Sequence, residues 1–217
     1  MTDHSAAEPE VKYLFPTPVM VTTLTNAETL NAALRAAIET KRSGDAGVQR
    51  SNILGWHSDS DMLRWGGDAA KTLALECLRL CAARTDDPKM RGGQPRFEFG
   101  IEMWANISPP GASNQAHTHP GALWSAVYYV DDGGDPDASL VLMDPNYPLN
   151  RMYAPDLRFV GKDGETFPTQ HMFAPTPGRL VVFPSWLSHA VKPCKGPNER
   201  ISIAMNITTA PARQTPR

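Results

Sequence analysis

The 217-residue chain has no long apolar run and almost no net charge. No stretch approaches the ~18 consecutive apolar residues of a membrane-spanning helix, so we predict no contact with a membrane. The 21 lysine and arginine residues are balanced by 23 aspartate and glutamate residues, which leaves a formal net charge of −2. This mixture of signs provides no electrostatic basis for binding nucleic acid.

Cysteine is scarce as well, with three in the whole chain. Cys77 and Cys81 lie four residues apart on one predicted helix, and the odd total does not suit a disulfide framework. We therefore predict buried thiols in a reducing compartment. Residues 1–10 are polar and lack the apolar run of a signal peptide. Together these features predict a cytoplasmic protein, and the length predicts a single domain over residues 1–217.

Residues 11–95 predict an extended segment followed by helices. Prolines confine the segment Tyr13–Leu24 to the edge of a sheet, where it can pair across a homodimer. Thr25 and Glu28 have the spacing of a capping box, and the helix that follows is predicted to end at Gly44.

A second helix is predicted from Asp61 to Arg84, where apolar residues recur at helical spacing. The glycine pair Gly66–Gly67 is predicted to break it into two pieces.

From Arg96 onward the apolar period changes from 3.6 to 2, which is typical of strands. Five strands are predicted, at Phe97–Asn106, Trp124–Val130, Ser139–Met143, Arg179–Phe183 and Arg200–Ile207. Helices first and strands afterwards predict an α+β fold, with a jelly roll at 96–207 and the N-terminal helices packed on one of its sheets.

The segment 144–178 is too long for a plain connection between strands. We interpret it as an insertion that borders the functional site, with a small hairpin at Arg158–Phe167. Our hypothesis is that this insertion acts as a lid.

Three of the six histidines predict a metal site. His117 and His119 are two residues apart at the end of a loop that enters a strand, and on extended backbone such residues point to the same side. A distant third ligand, His189, would complete a facial set that leaves open positions for substrate and oxygen. From the histidines alone, hydrogen-bonded core residues are an equal alternative. His57 and His171 lack this context and are interpreted as structural or surface residues.

Arg200 and Ser202 favour the metal site over that alternative. They lie two apart on a predicted strand, so the guanidinium and the hydroxyl face the same side and suit a carboxylate. An arginine at a solvated strand end is the competing interpretation. If Arg200 points inward it needs an anionic partner, because an unpaired buried charge is costly.

The order H-x-H, distant H and R-x-S resembles the iron(II)- and 2-oxoglutarate-dependent dioxygenase superfamily. Four segments are similar to a bacterial subgroup of such oxygenases, namely His117–Ala122, Ser125–Val130, Phe183–His189 and Arg200–Asn206. The resemblance covers about residues 96–207. It implies a double-stranded β-helix, which is a jelly roll, and an enzyme that uses Fe(II) and 2-oxoglutarate to hydroxylate a substrate.

The resemblance also implies roles for particular residues. Iron would be bound by His117, His119 and His189, with no further catalytic side chain. The far carboxylate of 2-oxoglutarate would be held by Arg200 and Ser202. Three more positions would belong to the co-substrate pocket: Tyr129 on that same carboxylate, and Asn106 and Asn206 in the pocket lining.

His119 departs from the family pattern, which usually has aspartate there. This keeps open a cupin-like three-histidine dioxygenase that does not use 2-oxoglutarate, in which Arg200 binds a substrate carboxylate. It also keeps open a non-catalytic metal- or ligand-binding domain, and a site in which His119 is not a metal ligand. Both a small molecule and a protein side chain remain open as the substrate.

Overall fold

A computed structural model describes residues 10–90, 95–146, 154 and 156–212. Its helices are α1 (Ala27–Ser43), α2 (Met62–Trp65) and α3 (Gly67–Ala82). The predicted capping box is wrong, because α1 begins after Asn26 and has no side-chain cap hydrogen bond. The predicted end of α1 at Gly44 is confirmed. The break between α2 and α3 is also confirmed, and Gly67 there has a φ of +66°, a conformation that glycine adopts without strain.

The strands form two antiparallel sheets that make up the jelly roll. In chain order they are β1 (Met20–Thr23), β2 (Asn52–Ile53), β3 (Trp56–His57), β4 (Phe97–Ser108), β5 (Ser113–His117), β6 (Trp124–Asp132), β7 (Leu140–Met143), β8 (Gln170–Phe173), β9 (Arg179–Pro184), β10 (His189–Val191) and β11 (Arg200–Pro211). One sheet has the order β1-β9-β6-β11-β4-β3 and the other has the order β2-β5-β10-β7-β8.

All five predicted strands are present, as β4, β6, β7, β9 and β11. The predicted position of the N-terminal segment is also confirmed, because β1 is an edge strand. The short strands β2, β3, β5, β8 and β10 were not predicted, because two to five residues are too few to establish an alternating pattern. Within the described residues, no helix combines the length and apolarity needed to cross a membrane.

The predicted hairpin in the segment 144–178 is confirmed. The backbone N–H of Phe167 donates to the carbonyl of Phe159 at 3.0 Å, and that of Gly161 donates to Glu165 at 2.8 Å. The same segment also contains β8, which pairs with β7. Residues 147–153 and 155 of the segment lie outside the described residues, and its role as a lid stays a prediction.

The main apolar core lies between the helices and the six-stranded sheet. Leu34, Ile38 and Leu73 of the helices are fully buried in one cluster with Ile203 and Met205 of β11. Burial of each such side chain contributes about 1.5–3 kcal/mol to stability. Side chains alternate along a strand, so one face of β4 and β11 packs in this core. Their other face points into the space between the sheets.

That other face of β4 and β11 forms the floor of a cavity. Residues on this face pair across the two strands in four successive steps: Ser108 with Arg200, Asn106 with Ser202, Trp104 with Ala204, and Glu102 with Asn206. The last three pairs line the cavity. On the far side of β11, Tyr129 of β6 is the register partner of Ser202.

Candidate metal centre and co-substrate cavity

Two of the three predicted metal ligands lie on neighbouring strands of the five-stranded sheet. His117 ends β5, His189 begins β10, and the two residues are register partners. Their ring centroids lie 4.3 Å apart. With His119 they form a cluster whose ligand nitrogens all lie within 4.8 Å of one another. One metal ion can therefore be reached by all three imidazoles.

His119 lies two residues beyond the end of β5 and opens a turn, so it is not part of the strand that carries His117. The strand ends at His117, and the backbone N–H of His119 then donates to the carbonyl of Ser185 at 3.0 Å. The carbonyl of His119 accepts from the N–H of Ala122 at 3.3 Å, which closes the turn. The H-x-H spacing predicted the correct cluster, although only His117 of the pair belongs to β5.

Backbone carbonyls orient two of the imidazoles. Nδ1 of His117 lies 2.7 Å from the carbonyl oxygen of Gln115, and Nδ1 of His189 lies 2.9 Å from that of Leu187. A proton on Nδ1 can donate to each carbonyl, and Nε2 then keeps its lone pair for a metal. A donor set of three imidazoles suits iron(II) and other divalent transition metals.

Two of the three imidazoles are held neutral by their surroundings. Burial lowers the pKa of His189 to about 3, and the neighbouring His117 and His119 add to the effect. Burial also lowers the pKa of His119 to about 4, with a smaller contribution from His117. Neutral imidazole is the form that binds metal, so these two side chains need not lose a proton at neutral pH.

The histidines line a cavity of about 540 Å³ between the two sheets. Trp104 forms part of its wall, with its ring centroid 5.8 Å from that of His119. His57 stacks on Trp104 at 5.5 Å and 14°, is buried, and also lines the cavity. The interpretation of His57 as a structural residue therefore omitted its place at the site. His171 is exposed on β8 and does not line this cavity.

Arg200 points inward, which excludes the solvated strand end. It is 1% exposed, and its guanidinium donates to the carbonyl of Ala138 at 2.8 Å and to Oγ of Ser108 at 3.0 Å. Nε has no hydrogen-bond partner. In the described part of the chain no carboxylate forms an ion pair with it, and burial lowers its pKa. A guanidinium has five N–H donors, so three remain for an anion.

Two further orphaned polar atoms lie beside Ser202. Among the described residues, the buried side-chain nitrogen and oxygen atoms without a hydrogen-bond partner are Nε of Arg200, Oη of Tyr129 and Oδ1 of Asn106. Asn106 and Tyr129 are the register partners of Ser202 on its two sides. Burial raises the pKa of Tyr129 to about 12, against smaller opposing effects of Arg200, the Leu140 backbone and Arg179. The Tyr129 phenol therefore stays a proton donor at neutral pH.

Four of the five predicted co-substrate residues lie together, and the fifth, Asn206, lies apart from them. Ser202 and Asn106 contribute to the cavity surface, and the buried Arg200 and Tyr129 lie behind them. Asn206 lines the opposite end of the cavity, about 20 Å of strand away from Arg200. Sequence reasoning missed Ser108, although it continues the alternation of β4 two residues after Asn106.

Comparisons with known proteins agree with this geometry. Residues 102–206 match a family described as "Putative 2OG-Fe(II) oxygenase". No relative among the curated proteins matches the chain by sequence. Among solved structures, the chain is similar to a prolyl-4-hydroxylase from Pseudomonas putida, with 21% identity, a TM-score of 0.54, and coverage of 88% of this chain and 92% of the other.

Two further solved structures share the fold. HygX from Streptomyces hygroscopicus, solved with nickel, 2-oxoglutarate and hygromycin B, is 16% identical, with a TM-score of 0.60 and coverage of 88% of this chain and 83% of HygX. A prolyl hydroxylase from Trichoplax adhaerens, solved with a peptide, is 13% identical, with a TM-score of 0.59 and the same two coverages. At these identities the likeness shows the fold. The segment that matches the family of 2OG-Fe(II) oxygenases, residues 102–206, contains all three histidines of the cluster.

Proposed function

We propose that the protein is an iron(II)- and 2-oxoglutarate-dependent dioxygenase that hydroxylates its substrate. The observation that carries this proposal is the buried charge of Arg200, which forms no salt bridge with a carboxylate among the described residues; the attraction of Asp135 is smaller than the effect of burial. A buried unpaired cation is costly, and a dicarboxylic co-substrate would compensate it. The three-histidine cluster lines the same cavity as Ser202 and Asn106, which supports a metal next to the co-substrate pocket.

The residues have separate tasks in this proposal. His117, His119 and His189 would hold the iron, while Arg200, Ser202 and Tyr129 would hold the far carboxylate of 2-oxoglutarate by charge and by two hydroxyl donors. When bound, iron and 2-oxoglutarate supply the oxygen-activating chemistry, and the protein supplies position and a dry site. Phe183, whose ring lies 4.8 Å from that of His189, excludes water from one side of the cluster.

Asn106 lines the cavity next to Ser202 and offers a buried amide whose oxygen has no partner. We assign it to the same co-substrate pocket. Asn206 belongs to the other end of the cavity, and its Oδ1 already accepts from Oγ of Ser125 at 3.0 Å. Its contact with the co-substrate stays a prediction that this geometry does not support.

The replacement of a carboxylate by His119 changes the charge at the metal. Three neutral imidazoles leave iron(II) with one more positive charge than two imidazoles and an aspartate would. The same chemistry suits the second candidate, a three-histidine dioxygenase in which Arg200 binds the carboxylate of the primary substrate instead. The observation that favours this candidate is the donor set itself.

Anaerobic titration separates the candidates. Iron(II) and 2-oxoglutarate added to the full chain should give the visible charge-transfer band of the chelate, and oxygen should then release succinate. The second candidate predicts iron binding without that band. Absence of iron binding would refute both candidates. If the Arg200→Gln variant formed succinate with the wild-type affinity for 2-oxoglutarate, the proposed role of Arg200 would be refuted.

We also propose a reducing, cytoplasmic setting. It is supported by the three cysteines, which are all buried and free. Pairing of the edge strand β1 across a homodimer stays a prediction.

A further inference from the structure

The cavity floor continues past the three histidines. Trp104 touches His119, so the next pair on the floor, Glu102 and Asn206, lies one step beyond the metal cluster on the side away from Arg200. About 20 Å of strand separates Arg200 from Asn206, which is more than a five-carbon diacid can span. This end of the cavity is therefore left for the primary substrate.

Glu102 places a negative charge at this end. Its side chain is exposed on the cavity face of β4, two residues from Trp104. Within the described ranges it forms no ion pair and no side-chain hydrogen bond. The neighbouring Asn206 is fixed by its hydrogen bond with Ser125, so the surroundings of Glu102 are ordered.

Arg50 places a positive charge on the same cavity. It precedes β2 and is exposed, and its charge lies close enough to His57 to help burial lower the pKa of that imidazole. Its backbone N–H donates to Oδ1 of Asn52 at 2.7 Å, but its guanidinium has no carboxylate partner in the described part of the chain. Arg50 and Glu102 therefore line one cavity without pairing with each other.

We infer that the primary substrate is a small zwitterion of the amino-acid type, with its ammonium group at Glu102 and its carboxylate at Arg50. A ligand that covers both side chains removes both from water, and each then needs an opposite charge. A simple acid or amine would satisfy one and leave the other covered and unpaired. The stacked rings of His57 and Trp104 provide an apolar wall for the body of the ligand. The identity of this ligand as a substrate rests on the proposed function, but its binding does not.

Ligand-observed saturation-transfer NMR tests the inference on the full chain loaded with zinc and 2-oxoglutarate. Three matched pools serve as probes: the common L-amino acids, the corresponding acids without the amino group, and the corresponding amines without the carboxylate. We expect binding from the amino-acid pool alone. Glu102→Gln and Arg50→Gln should each weaken it about fivefold, as expected for one partly exposed ion pair.

The two variants should also each improve the binding of a different one of the other two pools. Glu102→Gln should improve binding of the acids, because a repelling carboxylate is gone, and Arg50→Gln should improve binding of the amines. Glu98→Gln, on the same strand and outside the cavity, is the control and should leave all three pools unchanged.

Equal binding of the acids or the amines to the wild type would overturn the inference, as would variants that keep wild-type binding. Stimulation of succinate release by a protein or peptide in place of the amino-acid pool would also overturn it. Binding of the pool with no succinate formed under any condition would support the zwitterion site and refute the proposed oxygenase activity.

Discussion

His117 and His189 face each other across two antiparallel strands, as register partners of β5 and β10 with ring centroids 4.3 Å apart. Strand pairing thus fixes their separation, and neither imidazole depends on a flexible loop for its position. A site on paired strands is held more precisely than one on loops. The third histidine, His119, lies two residues beyond the end of β5.

The first prediction concerns the metal. His189→Ala should lower the affinity for iron(II) by about a hundredfold, because one of three ligands is lost. Equilibrium dialysis under anaerobic conditions measures this. His171→Ala, which removes an exposed histidine outside the cavity, should bind iron as the wild type does. Equal iron affinity in the two variants would exclude His189 as a ligand.

The second prediction concerns Tyr129, for which the adjacent Tyr128 provides a matched control. Tyr129→Phe removes an orphaned hydroxyl, so the free energy of unfolding should change by less than about 0.5 kcal/mol, while 2-oxoglutarate affinity falls about tenfold. Tyr128 faces the helices and donates to Oδ1 of Asn31 at 2.7 Å. Tyr128→Phe should instead cost about 1 kcal/mol of stability and leave 2-oxoglutarate affinity unchanged. Calorimetry of binding and urea unfolding check both, and the reverse pattern would contradict the assignment of Tyr129.

The third prediction concerns Arg200. 2-Oxoglutarate should raise the melting temperature of the wild type, because a ligand that binds the folded state stabilises it. Arg200→Met should abolish that rise, since the anion loses its cation. Arg42→Met removes the exposed ion pair between Arg42 and Glu199, and 2-oxoglutarate should still raise the melting temperature of this variant. A thermal shift of normal size in Arg200→Met would show that the diacid binds elsewhere.

The fourth prediction concerns the unusual ligand. His119→Asp should retain iron binding, because a carboxylate is also an iron ligand, whereas His119→Ala should weaken it. The added negative charge should lower the reduction potential of the bound metal, which electrochemical titration measures. Unchanged iron affinity and potential in both variants would place His119 outside the metal's ligands.

The fifth prediction concerns pH and a charge cluster between α1 and the segment before α2. Nζ of Lys41 lies 2.8 Å from Oδ2 of Asp45 and 2.7 Å from Oδ2 of Asp59. The hydrogen bonds with Lys41 lower the pKa of Asp45 and of Asp59 from 3.8, and those with the two carboxylates raise the pKa of Lys41 from 10.5.

A carboxylate whose pKa is lowered by folding stabilises the fold at pH values above its pKa in the unfolded chain. This stabilisation is lost as the pH falls through the pKa of the folded state. A lysine whose pKa is raised by folding stabilises the fold at pH values below its pKa in the unfolded chain. This stabilisation is lost as the pH rises through the pKa of the folded state. Lys41→Met should therefore lower the free energy of unfolding between about pH 5 and pH 10, with the difference vanishing in stronger acid or base. Urea unfolding across this range checks it, and a constant difference at every pH would contradict the electrostatic origin.

The sequence by itself determined the longer elements and the identity of the candidate ligands. Alternation is visible along β4 and β11 because those strands are long and one face of each packs against the apolar core. β6 and β9 are visible as short apolar runs between turn residues. The three histidines and Arg200 were found because their side-chain chemistry limits what they can do in a buried place. Local pattern was sufficient for these features.

Only the tertiary structure decided how these pieces meet. The register of β5 against β10 depends on the hydrogen bonds of two short strands, which leave almost no pattern in the sequence. The same is true of the stacking of His57 on Trp104 and of the orphaned atoms around Ser202, because burial is a property of the assembled sheets. Pairing between residues distant in the chain places Arg200 and Glu102 at opposite ends of one face of the sheet, and this separation underlies the two proposed binding regions.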